Sequence, residues 1–207
     1  KKNFLKNNKI KLIDNNLVDE IKNQKVNDNT PFYSLKEDVV GESSTSKINK
    51  ISKYLKKNKS DYLFISAPEN VAWTLNIRGE DGPNSPLPNS RLIVSKTKKL
   101  FLITKIQKAQ KLIKKGIIKK DELFNINDFS KTILKLKGNN FIIDNKSCSI
   151  YYENIIKSKF KVTKKPDPTY LLKAIKNKTE IKNMINSHIF DGVALTRFIY
   201  WIKNINK

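Results

Sequence analysis

The sequence predicts an α/β fold, a mixed β-sheet with helices on its faces. Three observations lead there. Short apolar runs of strand length and composition, such as Tyr62–Ile65, recur along the chain. Between them lie amphipathic stretches with apolar residues three and four apart, as in Ile48, Ile51, Tyr54 and Leu55. Lys96-Thr97-Lys98 joins two apolar runs tightly enough for an antiparallel hairpin, while the other runs alternate with helices.

Taken in order, residues 1–30 read as the tail of a preceding α/β domain. Charged and apolar residues alternate over 9–13, and a short Asn-capped helix near 15–21 carries Asp19 and Glu20 in its first turn. Residues 23–41 are polar, contain Pro31 and form a linker. Ser43 to Ser46 offer caps for the helix that bears the 48–55 stripe. The strand at Tyr62–Ile65 is stopped by Ala67-Pro68, and a helix at 69–75 follows with Pro68 near its first position. Strands at 91–95 and 99–104 form the hairpin. A helix at 106–115 should turn Ile106, Ala109 and Ile113 inward and stop at Gly116. A strand at 123–126, a helix capped by Asp128 and running to 136, and a strand at 141–143 come next. A helix at 147–156 and a strand at 160–162 complete the alternation.

Lys164-Lys165-Pro166-Asp167-Pro168-Thr169 marks a second boundary. A long helix begins near Asn177, with Glu180 placed for a capping box and an apolar stripe from 181 to 202. These boundaries set a middle α/β domain at 31–165 and the start of another at 166–207.

Composition narrows the function classes. The 207 residues are 38% apolar with ten phenylalanines, enough for a packed core. A net charge of +23 suggests nucleic acid or an anionic surface. Only three of the 42 basic residues are arginine, however, and arginine's bidentate fork is what phosphate and base recognition favours. Lysine is inflated together with Asn and Ile, all with AT-rich codons, so the charge reads as compositional bias. The lysine-rich stretch at 105–120 interleaves no aromatic for base stacking. No nucleic-acid partner is expected. Cys148, the one cysteine, rules out an intramolecular disulfide and reads as a small buried apolar residue. No apolar run approaches the roughly 18–20 residues of a membrane span, so no membrane partner is expected either. His188, the one histidine, has only Asp191 near it, and two ligands do not make a metal site. It reads as a hydrogen-bonded helix residue at a domain interface.

The stretch most suggestive of a site is Asn76-Ile77-Arg78-Gly79-Glu80-Asp81-Gly82, followed by Pro83, Pro86 and Pro88. It is a stiff loop presenting Arg78, Glu80 and Asp81 between two buried strands. Arg78 is the candidate for a substrate carboxylate, with Asp81 and Glu80 as helpers. The competing expectation is that Arg78 and Asp81 pair with each other and brace the loop.

Glu69-Asn70-Val71-Ala72-Trp73, Asn76-Ile77-Arg78-Gly79, Asp81 and Pro86 resemble the middle domain of the three-domain Xaa-Pro aminopeptidases, which are creatinase-like metallopeptidases. The blocks at 41–51 and 173–201, the second with Lys173, Lys176, Glu180, His188, Asp191, Phe198 and Trp201, fit the same family in order and spacing. Asn84 stands where the family often has His, and Ser187 where it has Ala. The resemblance implies a creatinase/prolidase N-terminal domain followed by the first helix of a truncated pita-bread domain. It implies a parent metal-dependent aminopeptidase that removes the N-terminal residue from peptides with proline second. Two divalent metals, expected to be manganese, would sit in the absent catalytic domain, with no catalytic residue, metal ligand or cofactor in this stretch. A homodimer acting on peptides follows from the same resemblance, a reducing cytoplasm is the default for a chain with one cysteine and no secretory signal, and this stretch alone should be inactive. The alternative is a non-catalytic creatinase-like binding or dimerisation module.

Overall fold

Five strands of the six-stranded sheet run parallel and one runs against them. The computed structural model describes residues 17–18, 30–82 and 84–205, and the expectations for the remainder of 1–30 lie outside the described residues. In chain order the elements are β1 (Tyr33–Ser34), α1 (Glu37–Val40), α2 (Ser44–Lys57), β2 (Tyr62–Ile65), α3 (Pro68–Leu75) and β3 (Ile77–Arg78). The hairpin β4 (Arg91–Ser95) and β5 (Leu100–Thr104) follows, then α4 (Ile106–Lys114), β6 (Leu123–Asn125), α5 (Phe129–Lys135) and β7 (Asn140–Ile143). α6 (Ile150–Lys157), β8 (Lys161–Lys164), α7 (Pro168–Ala174) and α8 (Lys178–Asn204) complete the chain. The large sheet has the order β6-β5-β4-β2-β7-β8, and β4 is its antiparallel member.

Alternation along the strands divides the core in two. Leu63, Ile65, Leu92, Val94, Leu102 and Ile142 point to one face and pack under α2, α3 and α4. Phe64, Ile93, Phe101, Ile103, Phe141 and Ile143 point to the other, under α5 and α6. Because both faces are covered, the strands read as continuous apolar runs instead of alternating ones.

Several expectations are corrected by packing. The supposed linker at 23–41 holds β1 and α1 where it is described, and β1 pairs antiparallel with β3, Tyr33 opposite Arg78. Two residues per strand leave no periodicity to read. In α4 the inward residues are Lys108, Ala109 and Leu112, whereas Ile106 is exposed. Asp128 stands at the N-cap of α5, as expected, but with its backbone at φ −99° and ψ 16° its side chain accepts no helix N–H there and meets Lys131 at 3.0 Å instead. The last strand lies at Lys161–Lys164, slightly later than expected. Cys148 is half-buried, and burial, with Glu153 and Asp144 nearby, pushes its thiol up to about 11, which favours the protonated form.

The charged, proline-flanked segment at 164–169 is tied to the sheet. Asp167 is 2% exposed. Its carboxylate accepts from Asn70 Nδ2 at 2.8 Å and from the Thr169 N–H at 2.9 Å, while its own N–H donates to Asp144 at 3.1 Å. Lys173 Nζ closes the chain by donating to Asn70 Oδ1 at 2.6 Å. Polar composition here marks a buried hydrogen-bonded network, a pattern that composition alone does not separate from a solvated loop.

Candidate functional site

The short β1–β3 ribbon exists because α3 ends abruptly. Asn76 takes the left-handed conformation, φ 54° and ψ 38°, which a short amide side chain tolerates at a helix C-terminus. The chain therefore reverses and lays Ile77 and Arg78 beside Ser34 and Tyr33. Gly79 follows at a close approach: a Cβ there would stand 2.9 Å from both the Phe32 ring and the Pro88 backbone. Arg78 is thus delivered at a defined point, half-buried, facing the first turns of α8.

Two adjoining hollows open on that point. One, of about 400 Å³, is walled by α1, β3 and α8 and includes Val39, Met184, His188 and Asp191. The other, of about 300 Å³, includes Glu69, Trp73 and Lys173. Arg78, Lys176 and Glu180 border both. α8 is docked here by its own start. Asn177 and Glu180 form a capping box, and Asn177 Nδ2 donates to the Val40 carbonyl at 2.8 Å, so the N-terminal turn is fastened to the end of α1.

The loop candidates part company. Arg78 Nη1 donates to the Ile77 carbonyl at 2.8 Å and reaches Ala72 O at 3.4 Å, leaving the rest of its guanidinium towards the cleft. Burial pulls its acidity towards the neutral form, with Tyr33 opposing. Asp81 does not pair with Arg78. Its carboxylate accepts from Lys108 Nζ and from the Asn89 N–H, and the Lys108–Asp81 pair is almost wholly buried. Glu80 is exposed. The structure brings neither carboxylate to Arg78; the charged residues that border both hollows with it are Lys176 and Glu180, from the segment beyond 166.

The place of Lys176 and Glu180 beside Arg78, and the burial of Lys47, escaped sequence reasoning. Lys47 is buried against Trp73 and Asn76, although it lies four and eight residues before Ile51 and Leu55 and so extends the α2 apolar stripe. Lys108 stands four before Leu112 in the same way. A lysine at core spacing was the available signal in both cases. His188 lies exposed on the cleft wall and makes no side-chain hydrogen bond among the described residues, contrary to expectation. Among those residues no group of three or more His, Cys, Asp and Glu side chains is placed to hold a metal ion. Glu180 accepts from the Asn177 N–H, and His188 and Asp191 alone do not fit a metal pair.

Residues 23–180 match the Creatinase/Prolidase N-terminal domain family. The chain belongs to that family. Creatinase/prolidase N-terminal domains are mixed α/β units, and the six-stranded sheet with helices on both faces conforms. The chain is 30% identical over 203 residues to Xaa-Pro aminopeptidase 1 of Dictyostelium discoideum, covering 91% of this chain and 31% of that protein. It is 28% identical over 204 residues to Xaa-Pro aminopeptidase ApepP of Drosophila melanogaster, covering 94% and 33%. Among solved structures it is similar to the X-prolyl aminopeptidase of Caenorhabditis elegans, described as a cytosolic enzyme with a di-nuclear active site. The TM-score is 0.76 at 25% identity, over 92% of this chain and 32% of that one. The chain spans about a third of the length of these relatives. No described helix is long and apolar enough to cross a membrane.

Proposed function

We propose that this chain is the non-catalytic N-terminal portion of a metal-dependent aminopeptidase that removes the first residue from Xaa-Pro peptides. The relatives it matches over more than nine-tenths of its length are Xaa-Pro aminopeptidases, and the observation that carries the role is the cleft. Arg78 is delivered by a stiff turn to the border between the α/β sheet and α8, where a following catalytic domain would begin. Residues 31–165 form the domain that flanks the substrate path, and 166–207 open the next one.

In this role Arg78 is the substrate-facing cation. Its guanidinium orients a peptide carboxylate or carbonyl through donors that the backbone leaves unused. Lys176 adds positive charge, and Val39 and Met184 give the same hollow an apolar side. Asp81 acts indirectly by pinning the loop to α4. When bound, a metal pair, expected to be manganese, would supply a hydroxide nucleophile and polarise the scissile carbonyl, held by ligands of the catalytic domain and by none of the residues described here. A cytoplasmic homodimer is the expected setting.

The test is hydrolysis by the intact protein. Release of the N-terminal residue from a tripeptide with proline second, lost on chelation and restored by Mn²⁺, is the expected result. An intact protein that binds such peptides without cleaving them would instead be a creatinase-like binding module.

A further inference from the structure

Lys47 is 1% exposed, yet it makes no salt bridge among the described residues. Its ammonium donates to the Trp73 carbonyl at 2.9 Å and to Asn76 Oδ1 at 2.6 Å, and it lies 4.3 Å from the centre of the Trp73 ring. The Asn76 amide is held at its other end too, since Nδ2 donates to the Glu42 carbonyl at 2.8 Å. The Asn76 main-chain carbonyl accepts from the Leu35 N–H at 2.8 Å, the bond that leads into the β1–β3 pairing. Lys47 and Arg78 therefore cap neighbouring carbonyls, Trp73 and Ala72, at one helix end where positive charge is favoured.

We propose, resting on Arg78 as the substrate-facing cation, that Lys47 is its positioning residue: the buried ammonium locks the left-handed Asn76 turn and so sets where the Arg78 guanidinium stands in the cleft. The charged groups that face Lys47 are Glu42 before its own helix, Lys50 along it, Arg78 from β3 and Glu180 from α8. Burial pulls Lys47 down to about 8, against the attraction of Glu42 and Glu180. A neutral amine keeps hydrogens for both acceptors. It loses the attraction to the Trp73 ring and to the helix end, so the turn loosens without dissolving.

The chain contains only three arginines, Arg78, Arg91 and Arg197, so Arg91→Lys and Arg197→Lys assign the guanidinium signals of an arginine-labelled sample. The Arg78 Nε resonance should shift through a transition centred near 8 in the 207-residue chain. Lys47→Gln, which keeps a donor but carries no charge, should abolish that transition. An Arg78 signal that holds still while the Lys47 Nζ resonance of the unsubstituted chain itself titrates overturns the proposal, whether or not the variant folds. In the intact enzyme, an Arg78→Ala variant with unchanged KM for an Xaa-Pro tripeptide would remove the substrate role and leave the Lys47–Arg78 coupling standing. A raised KM with a motionless Arg78 signal would do the reverse.

Discussion

Three side chains organise the loop from 76 to 90, and each has a different dependence on its surroundings. Asn76 fixes direction, Lys108 holds Asp81, and Arg78 faces outward. A hydrogen bond to a charged group contributes about 1.5–3 kcal/mol. Asp81→Ala, which loses the carboxylate's bonds to Lys108 and to the Asn89 N–H, should therefore lower stability by roughly that amount in chemical denaturation, while Glu80→Ala, exposed, should change it by less than about 0.5 kcal/mol. Equal effects at the two positions would contradict the assignment of Asp81 to Lys108. The sequence announced this loop by its Gly, Pro and Arg content. Which carboxylate was structural was not legible, because Lys108 is far away in the chain and looks like one more surface lysine among many.

At the scale of elements, the junction between α1 and α8 decides whether the cleft has a second wall. Gly41 ends α1 at φ 70°, and a Cβ there would stand 2.3 Å from Asn177 Oδ1 and 2.6 Å from Thr179 Cβ. Gly41→Ala should cost about 1–2 kcal/mol from the left-handed backbone alone and push the start of α8 away. Asn177→Ala removes both the cap and the bond to Val40, with an expected loss of about 1–2 kcal/mol. Hydrogen exchange at the first turn of α8 reads both: faster exchange confined to that turn is expected, and unchanged protection would contradict the docking. The capping box was legible from Asn177 and Glu180 three residues apart. α1 and the β1–β3 ribbon were not, since elements of two to four residues carry no period and are held by tertiary contacts. The long strands and α2 were legible because both sheet faces demand unbroken apolar runs.

Over the whole molecule, titrating groups pull stability in two directions. Glu153, held down by Lys157 and Lys164, lies below the usual carboxylate range. Asp61 does too: burial would raise it, but Lys96 and the N–H groups of Asn140 and Asn139 outweigh that. A carboxylate lowered by folding contributes stability above its unfolded pKa, lost as pH falls through the folded one, so unfolding should become easier below roughly pH 4. Asp167, raised chiefly by burial, has the opposite sign and acts at higher pH: its contribution grows as pH falls through its folded value towards the ordinary carboxylate value. Lys47 is lowered to about 8, so the unfolded chain binds the extra proton, and stability should rise as pH climbs from there towards the ordinary lysine value. Thermal melts across that range should show the rise in the unsubstituted chain and lose it in Lys47→Gln.

The same molecular scale holds the central claim, that Arg78 meets peptide substrate at the edge of a catalytic domain. The direct measurement is steady-state cleavage of an Xaa-Pro tripeptide by the intact protein and by its Arg78→Ala variant. A charge-assisted contact of about 1.5–3 kcal/mol that serves binding should raise KM roughly tenfold to a hundredfold and leave kcat within a few-fold. Unchanged KM in a folded, metal-loaded Arg78→Ala enzyme would contradict the account and return Arg78 to a brace for the α3 helix end.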